Sequence, residues 1–446
     1  VEYLIEKGAS VKKKTADGTS ALMAASGNGH LEVARLLIDN GANVKAFKSG
    51  WETALMMASE GGHAQVARLL LESRADVNAS TRYHRETPLW LAAKGGHLDT
   101  VKLLVDNGAW VNFRHDDGTT ALWMAAEGDY TDVVKYLVER DADVDVEKNI
   151  LEETPLMLAS EHGNTELVEL FCEKGANVNK KTVYNLTALM LALDKSHTEV
   201  VKHLCENGAD VNVKASDGST ALMLASQRGD IEIVRMFIDK GAEVNTKSKD
   251  GATALLRASQ YGHSDVVKFL CEKGADVNAR SKSNGATVLM WASERGNGDV
   301  ARLLIEKGAK VNLRTTDGTS ALWIAAQEGH TDVVDLLIGN DADVNVRRTT
   351  DSISALWMAA QNGHTQSAKL LVESGADLDV ASDKGITALM LAAQNGHTEI
   401  VKLLCEWGSD VNIRATMNDI NYSALKVAKD MGRKDIVGIL ESTGAE

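Results

Sequence analysis

Histidines, cysteines and carboxylates are the groups in this 446-residue chain that could do chemistry, and their spacing argues against it. Eight of the twelve histidines, including His30, His63, His97, His263 and His397, stand at one place in a recurring turn, most of them directly after a glycine. That is the pattern of a structural turn residue. Glu161-His162 lacks the second histidine of a zinc-protease helix, and no phosphate-binding glycine loop or nucleophile elbow occurs. No metal site, cofactor or catalytic constellation is expected, and the chain reads as non-enzymatic. The cysteines Cys172, Cys205, Cys271 and Cys405 each fall sixteen residues after a periodic leucine, where other copies carry Ile38, Leu71, Val105 or Ile305. They read as small core hydrophobes. Equivalent helices stack about 8–10 Å apart, too far for a disulfide, which needs Cα atoms within about 7 Å. Reduced thiols and an intracellular, cytoplasmic setting follow.

What must position such groups is set by one leucine: Leu22, Leu55, Leu89, Leu122, Leu156, Leu189, Leu222, Leu255, Leu289, Leu322, Leu356, Leu389 and Leu425, in steps of 33 or 34 residues and a last step of 36. A period in this range belongs to stacked supersecondary units, none of which can bury its apolar face alone. Two residues before each leucine stands a Ser or Thr, from Ser20 to Ser423, suited to cap a helix by accepting an amide of its first turn. Three residues after it stands an alanine, from Ala25 to Ala428, small enough to let helices approach. Seven residues after it, glycines such as Gly29, Gly62 and Gly96 close this first helix. A second helix follows, as over residues 31–40, with Val33, Leu36 and Leu37 on its apolar face. Then comes a Val or Leu, always twenty-two residues after the periodic leucine and usually followed by Asn, as in Val77-Asn78. The segment from there to the next leucine varies in length and carries Asp-Gly turns, for example Asp117-Gly118.

Asp-Gly-Thr-Thr-Ala-Leu from Asp117, Gly-His-Leu-Glu-Val from Gly29 and Gly-Ala-Asp-Val-Asn from Gly208 together resemble the ankyrin repeat, over essentially the whole chain. The resemblance implies an all-α solenoid of helix pairs with short β-hairpin fingers, its concave side made by first helices and fingers. The expected architecture is thirteen helix pairs after a truncated first repeat, as a single continuous domain over 1–446: a truncated repeat over 1–14, regular repeats over 15–414 and a capping repeat over 415–446. One departure is systematic. The family's Thr-Pro-Leu-His becomes Thr-Ala-Leu-Met or Ser-Ala-Leu-Trp, so its histidine is replaced by Met23, Met56, Trp90, Trp123 and their equivalents, and apolar packing is expected in place of its hydrogen bond. Trp90, Trp123, Trp323 and Trp357 accordingly read as packing groups rather than partner anchors. A shift of 200 residues aligns Trp123 with Trp323, Asp141 with Asp341 and Cys205 with Cys405, so a block of six repeats looks duplicated.

Net charge is −15, which favours solubility and argues against a general nucleic-acid or membrane binder. No apolar run reaches the roughly 18 residues of a membrane span. Basic residues do recur three positions past the finger valine. Of these, Lys181, Lys214, Lys247, Arg280, Arg314 and Arg347 would form rungs about 10 Å apart, able to attract an acidic or phosphorylated segment. The plainer reading is that ankyrin repeats commonly carry Lys or Arg there. Less usual are Trp51, Tyr83, Arg85, Ile150, Leu151, Tyr184, Arg228, Tyr261 and Arg295 at fingers and first-helix ends, because exposed aromatics beside arginines compose interface hot spots. The expected function is a scaffold that binds another protein or peptide along its concave groove and fingers through these nine residues. Two alternatives stand beside it: the recognition arm of a larger enzyme, channel or ubiquitin ligase, and an anion or nucleic-acid binder using the basic fingers. Val1 falls midway through a second helix, which predicts further sequence upstream, whereas Lys426, Lys429, Arg433 and Lys434 give the last repeat a polar, cap-like character.

Overall fold

Each periodic Ser or Thr does begin a helix. In the computed structural model, which describes residues 1–417 and 420–446, all thirteen cap hydroxyls accept the amide three residues on, as Ser20 does from Met23 and Thr387 from Met390. The helices that follow are short, such as Ala21–Gly27 and Ala254–Tyr261. Each is followed by a second helix, such as Leu31–Asp39 or Ser264–Glu272, whose apolar face is buried.

The chain forms two compact units. The unit Val1–Ser216 holds the short helix Glu2–Glu6 and the pairs from Ala21–Gly27 to Thr198–Glu206. The unit Asp217–Glu446 holds the pairs from Ala221–Arg228 to Lys434–Ser442. Thirteen pairs therefore follow the truncated first repeat, as expected. Within each unit, first helices pack on first helices and second helices on second helices. The repeated alanines make this possible: Ala58, Ala92, Ala159, Ala225, Ala258 and Ala359 are fully buried at these contacts.

Three side-chain devices tie repeats to their neighbours. The turn histidine reaches back to a carbonyl at the end of the preceding first helix, His63 to Gly27 O at 3.1 Å, His197 to Glu161 O and His263 to Gln227 O at 3.0 Å each. The Asn after the finger valine clamps the next repeat with both ends of its amide: Asn179 Nδ2 donates to Gly208 O at 3.0 Å, and Asn179 Oδ1 accepts from the Asp210 amide at 2.7 Å. Third, the position where the family's histidine is missing is not purely apolar. Trp90 Nε1 donates to Thr119 Oγ1 at 3.1 Å, Trp123 Nε1 to Glu153 O at 2.9 Å and Trp357 Nε1 to Ile386 O at 3.0 Å, each in the following finger. These indoles replace the expected loss with a bond, although the equivalent Trp323 Nε1 has none among the described residues. All four tryptophans are buried, which removes them as partner anchors.

The fingers are tighter than the hairpins expected of them. Among the described residues six are turns closed by a single bridge, as Lys14 with Ser20 or Arg314 with Ser320. A two-stranded antiparallel ladder occurs only between Ala415–Met417 and Ile420–Tyr422 among the described residues.

Candidate partner-binding surface

A finger turn is built around its aspartate. Asp17 accepts from the Thr15 and Thr19 hydroxyls and from the Thr19 amide, and these bonds hold its carboxyl at about 2. Asp250 is also lowered, through the Ser248 hydroxyl and the Ala252 amide. The tips are then joined to one another through the backbone. In the first unit the Ser49 amide donates to Asp17 O at 2.8 Å, Arg82 to Gly50 O at 2.9 Å, Asn149 to Asp117 O at 2.7 Å and Ser216 to Tyr184 O at 2.8 Å. In the second, Lys249 donates to Asp217 O at 2.8 Å, Lys282 to Asp250 O at 2.7 Å and Thr349 to Asp317 O at 2.7 Å. Fingers that vary in length and sequence are thus held in place by bonds that no side chain supplies.

On this pinned frame the candidate residues fall into two groups. In the first unit, Trp51 (50% exposed), Tyr83 (67%), Ile150 (73%) and Tyr184 (60%) project from fingers. Arg82 links the first two, its guanidinium 5.9 Å from the Trp51 ring and 5.6 Å from the Tyr83 ring. Arg85 lies 4.7 Å over Phe113. Leu151 is half-buried, and its carbonyl accepts the Val183 amide at 3.2 Å, which sets Ile150 beside the finger of Tyr184. In the second unit, Arg228, Tyr261 and Arg295 occupy one position at the ends of successive first helices, all exposed. The Tyr261 ring stacks 6.5 Å from His263.

The basic fingers are less available than their sequence spacing implies. Arg114 pairs with Asp143 at 3.3 Å, Arg314 with Asp343 at 3.6 Å and Arg347 with Asp377 at 3.1 Å, each reaching into the next repeat. Arg280 bonds to the Gly285 and Arg314 carbonyls. Lys181, Lys214 and Lys247 remain exposed. The cysteines are free thiols, but only Cys205 is fully buried. Cys172, Cys271 and Cys405 are half-buried because they lie at the edge of the second-helix face, and burial still pushes the Cys271 thiol up to about 11. No cluster of three potential metal ligands occurs among the described residues, and none of their helices is long and apolar enough to cross a membrane.

The family model for ankyrin repeats (three copies) matches residues 1–81, 80–148, 142–215, 212–281, 276–348, 337–415 and 356–446. This chain is an ankyrin-repeat protein. Ankyrin repeats are generally protein–protein interaction modules, and proteins built from them are typically non-enzymatic scaffolds. No curated protein matches the chain.

Several exposed groups on these ankyrin fingers were missed by sequence reasoning. Phe47, Trp110 and Val183 are exposed large apolar residues, and Trp110 stacks on Phe113 at 5.8 Å. The signal was present. Phe47 stands three past Val44, where Lys14 and Arg114 are basic, and Trp110 stands directly before Val111, where Asp76, Asp143 and Asp210 occur in other repeats.

Proposed function

We propose that this ankyrin-repeat protein is a non-enzymatic intracellular scaffold that binds a partner protein or peptide along its first-helix ends and fingers. The observation that carries the reading is the contrast at the fingertips. Large apolar side chains remain in solvent on backbones fixed by interfinger hydrogen bonds, so little ordering entropy remains to oppose binding. Aromatics beside arginines, as in Trp51, Arg82 and Tyr83, are the composition of interface hot spots. A polyanion reading is weaker, because the finger arginines already pair with Asp143, Asp343 and Asp377.

The test is site-specific photo-crosslinking of the full chain in cytosol. A photoreactive residue at Tyr83, Tyr184 or Tyr261 should give a discrete protein adduct, and one at Lys102 or Lys135 on second helices should not. Adducts confined to the second-helix positions would place the surface on the other side of the repeats and overturn the proposal.

A further inference from the structure

The first fingers of the N-terminal unit frame a cleft of about 630 Å³ whose lining includes Lys45, Phe47, Trp51, Arg74 and Asp76. This lies within the range of about 300–1,000 Å³ found for small ligand sites. Three of its walls depart from the repeat. Phe47 replaces a basic residue. Trp51 stands where Gly18 and Gly118 stand in other repeats, and Arg74 where Gly41 and Gly108 stand. Both keep the left-handed backbone of the glycines they replace, with φ of 69° and 65°. Of the ten described non-glycine residues with positive φ, six are Asp, Asn or Ser, small polar residues of which Asp and Asn tolerate the region best. The other four are Trp51, Arg74, Arg85 and Glu152, and two of those four line this one cleft. Glycine would satisfy the fold at both places, and backbone strain of this kind gathers at functional sites.

Charge says what they do. Lys45 and Arg74 line the cleft, Arg82 lies over Trp51, and Lys14 Nζ is 5.6 Å from the Phe47 ring centroid. Lys45, Arg74 and Arg82 form no ion pair among the described residues. The one acidic lining residue, Asp76, which accepts the Asn78 amide at 3.0 Å, is outnumbered by Lys45, Arg74 and Arg82. A positive, aromatic cleft on a chain of net charge −15 is a local inversion.

We propose that this cleft binds an acidic linear segment of a partner protein, one apolar side chain packing on the Phe47 and Trp51 rings while flanking carboxylates meet Lys45, Arg74 and Arg82. The proposal rests on the reading of the fingers as a partner surface and names the partner's chemistry at this one place. It is tested on the full chain with a fluorescein-labelled synthetic peptide of glutamates around a single leucine, beside Gln-for-Glu and Ser-for-Leu counterparts, inorganic polyphosphate and single-stranded RNA. The glutamate–leucine peptide should bind with a steep salt dependence, and each counterpart should bind at least about tenfold more weakly, the size of effect one hot-spot contact commands. Trp51→Gly and Arg74→Gly should each weaken the peptide by a similar factor with melting temperature unchanged or raised, because both remove a left-handed side chain and misfolding cannot explain the loss. Equal binding of the Gln counterpart, polyphosphate or RNA binding as tightly as the peptide, or unchanged affinity in both glycine variants would each overturn the cleft. Loss of the cleft with crosslinking at Tyr184 intact leaves the broader finger reading standing; loss of both removes both.

Discussion

His97 Nε2 lies 2.9 Å from Glu60 O, and its ring occupies the space a side chain on Gly62 would need: a Cβ there would fall 2.5 Å from His97 Nδ1. The glycine is therefore required twice, by its φ of 69° and by the ring of the next repeat. Where that ring is absent the requirement relaxes. Asp129 holds the position equivalent to Gly62 with φ 54°, and the next repeat presents Asn164, whose Nδ2 donates to Asp129 Oδ1 at 2.6 Å.

Gly62→Asp should destabilise the protein by on the order of 2–3 kcal/mol, from left-handed strain of about 1 kcal/mol plus overpacking of about 1–2 kcal/mol. In a His97→Asn background the same substitution should cost about 1 kcal/mol, because a bond like that of Asp129 with Asn164 is recreated. A double-mutant cycle by urea denaturation reads the coupling. Additive effects would mean that the ring and the glycine are independent.

Arg74→Gly should stabilise its neighbourhood by about 1 kcal/mol, and Gly108→Arg should destabilise its own by a similar amount. Nothing lies within 4 Å of a Cβ built on Gly108, so backbone strain alone is measured there. Hydrogen exchange should show each change confined to the altered repeat and its neighbours. Lowered protection in Arg74→Gly would show a compensating contact at Arg74.

The finger aspartates make the fingertips acid-sensitive. Asp17 is held at about 2 by the Thr15 and Thr19 hydroxyls, below its unfolded value of about 3.9. A depressed folded pKa contributes stability above the unfolded value, and the contribution is lost as pH falls through the folded one. The Thr19 amide, bonded to Asp17 Oδ1 at 3.2 Å, should therefore shift in an NMR titration with a midpoint near 2. A midpoint near 4 would mean that the turn does not hold the carboxylate.

Cys271 should alkylate far more slowly than free cysteine at pH 8, because burial pushes its thiol up to about 11 and the thiolate is the nucleophile. Mass spectrometry after iodoacetamide treatment, with and without urea, checks this. Rapid labelling of the native protein would show that its repeat opens.

What was legible in the sequence is what repeats within a single unit. Thr87, Leu89 and Ala92 announce a cap, a core contact and a close approach by their spacing alone, and the helix Pro88–Lys94 follows. What was not legible is what one repeat does to the next. Asn78 was visible as a recurring residue, but its acceptor, Gly108 O, lies 30 residues on and becomes a neighbour only after stacking. Phe47 and Trp110 escaped for another reason: Phe47 stands at a finger position whose recurring feature is a basic residue, and Trp110 at one where Asp76, Asp143 and Asp210 stand in other repeats, so neither shows in the periodic pattern. Basic spacing misled in the opposite direction, since Arg347 looked available until Asp377 was placed 3.1 Å from it.

Because the Arg82 amide is held by the carbonyl of Gly50 and the Asn149 amide by that of Asp117, the grip between tips is indifferent to most of the residues that sit there, the exceptions being glycines such as Gly251 and Gly318, where a Cβ would fall 2.7 Å from the Lys282 nitrogen and 2.9 Å from the Thr349 nitrogen of the next finger. Evolvability follows from that indifference. Fingertip sequences can drift, or be grafted from one repeat to another, without passing through an unfolded ancestor. The two blocks aligned by the 200-residue shift show it: Tyr83-His84-Arg85 and Ser283-Asn284-Gly285 are unlike tips beside the same backbone bond, Arg82 N to Gly50 O in one block and Lys282 N to Asp250 O in the other.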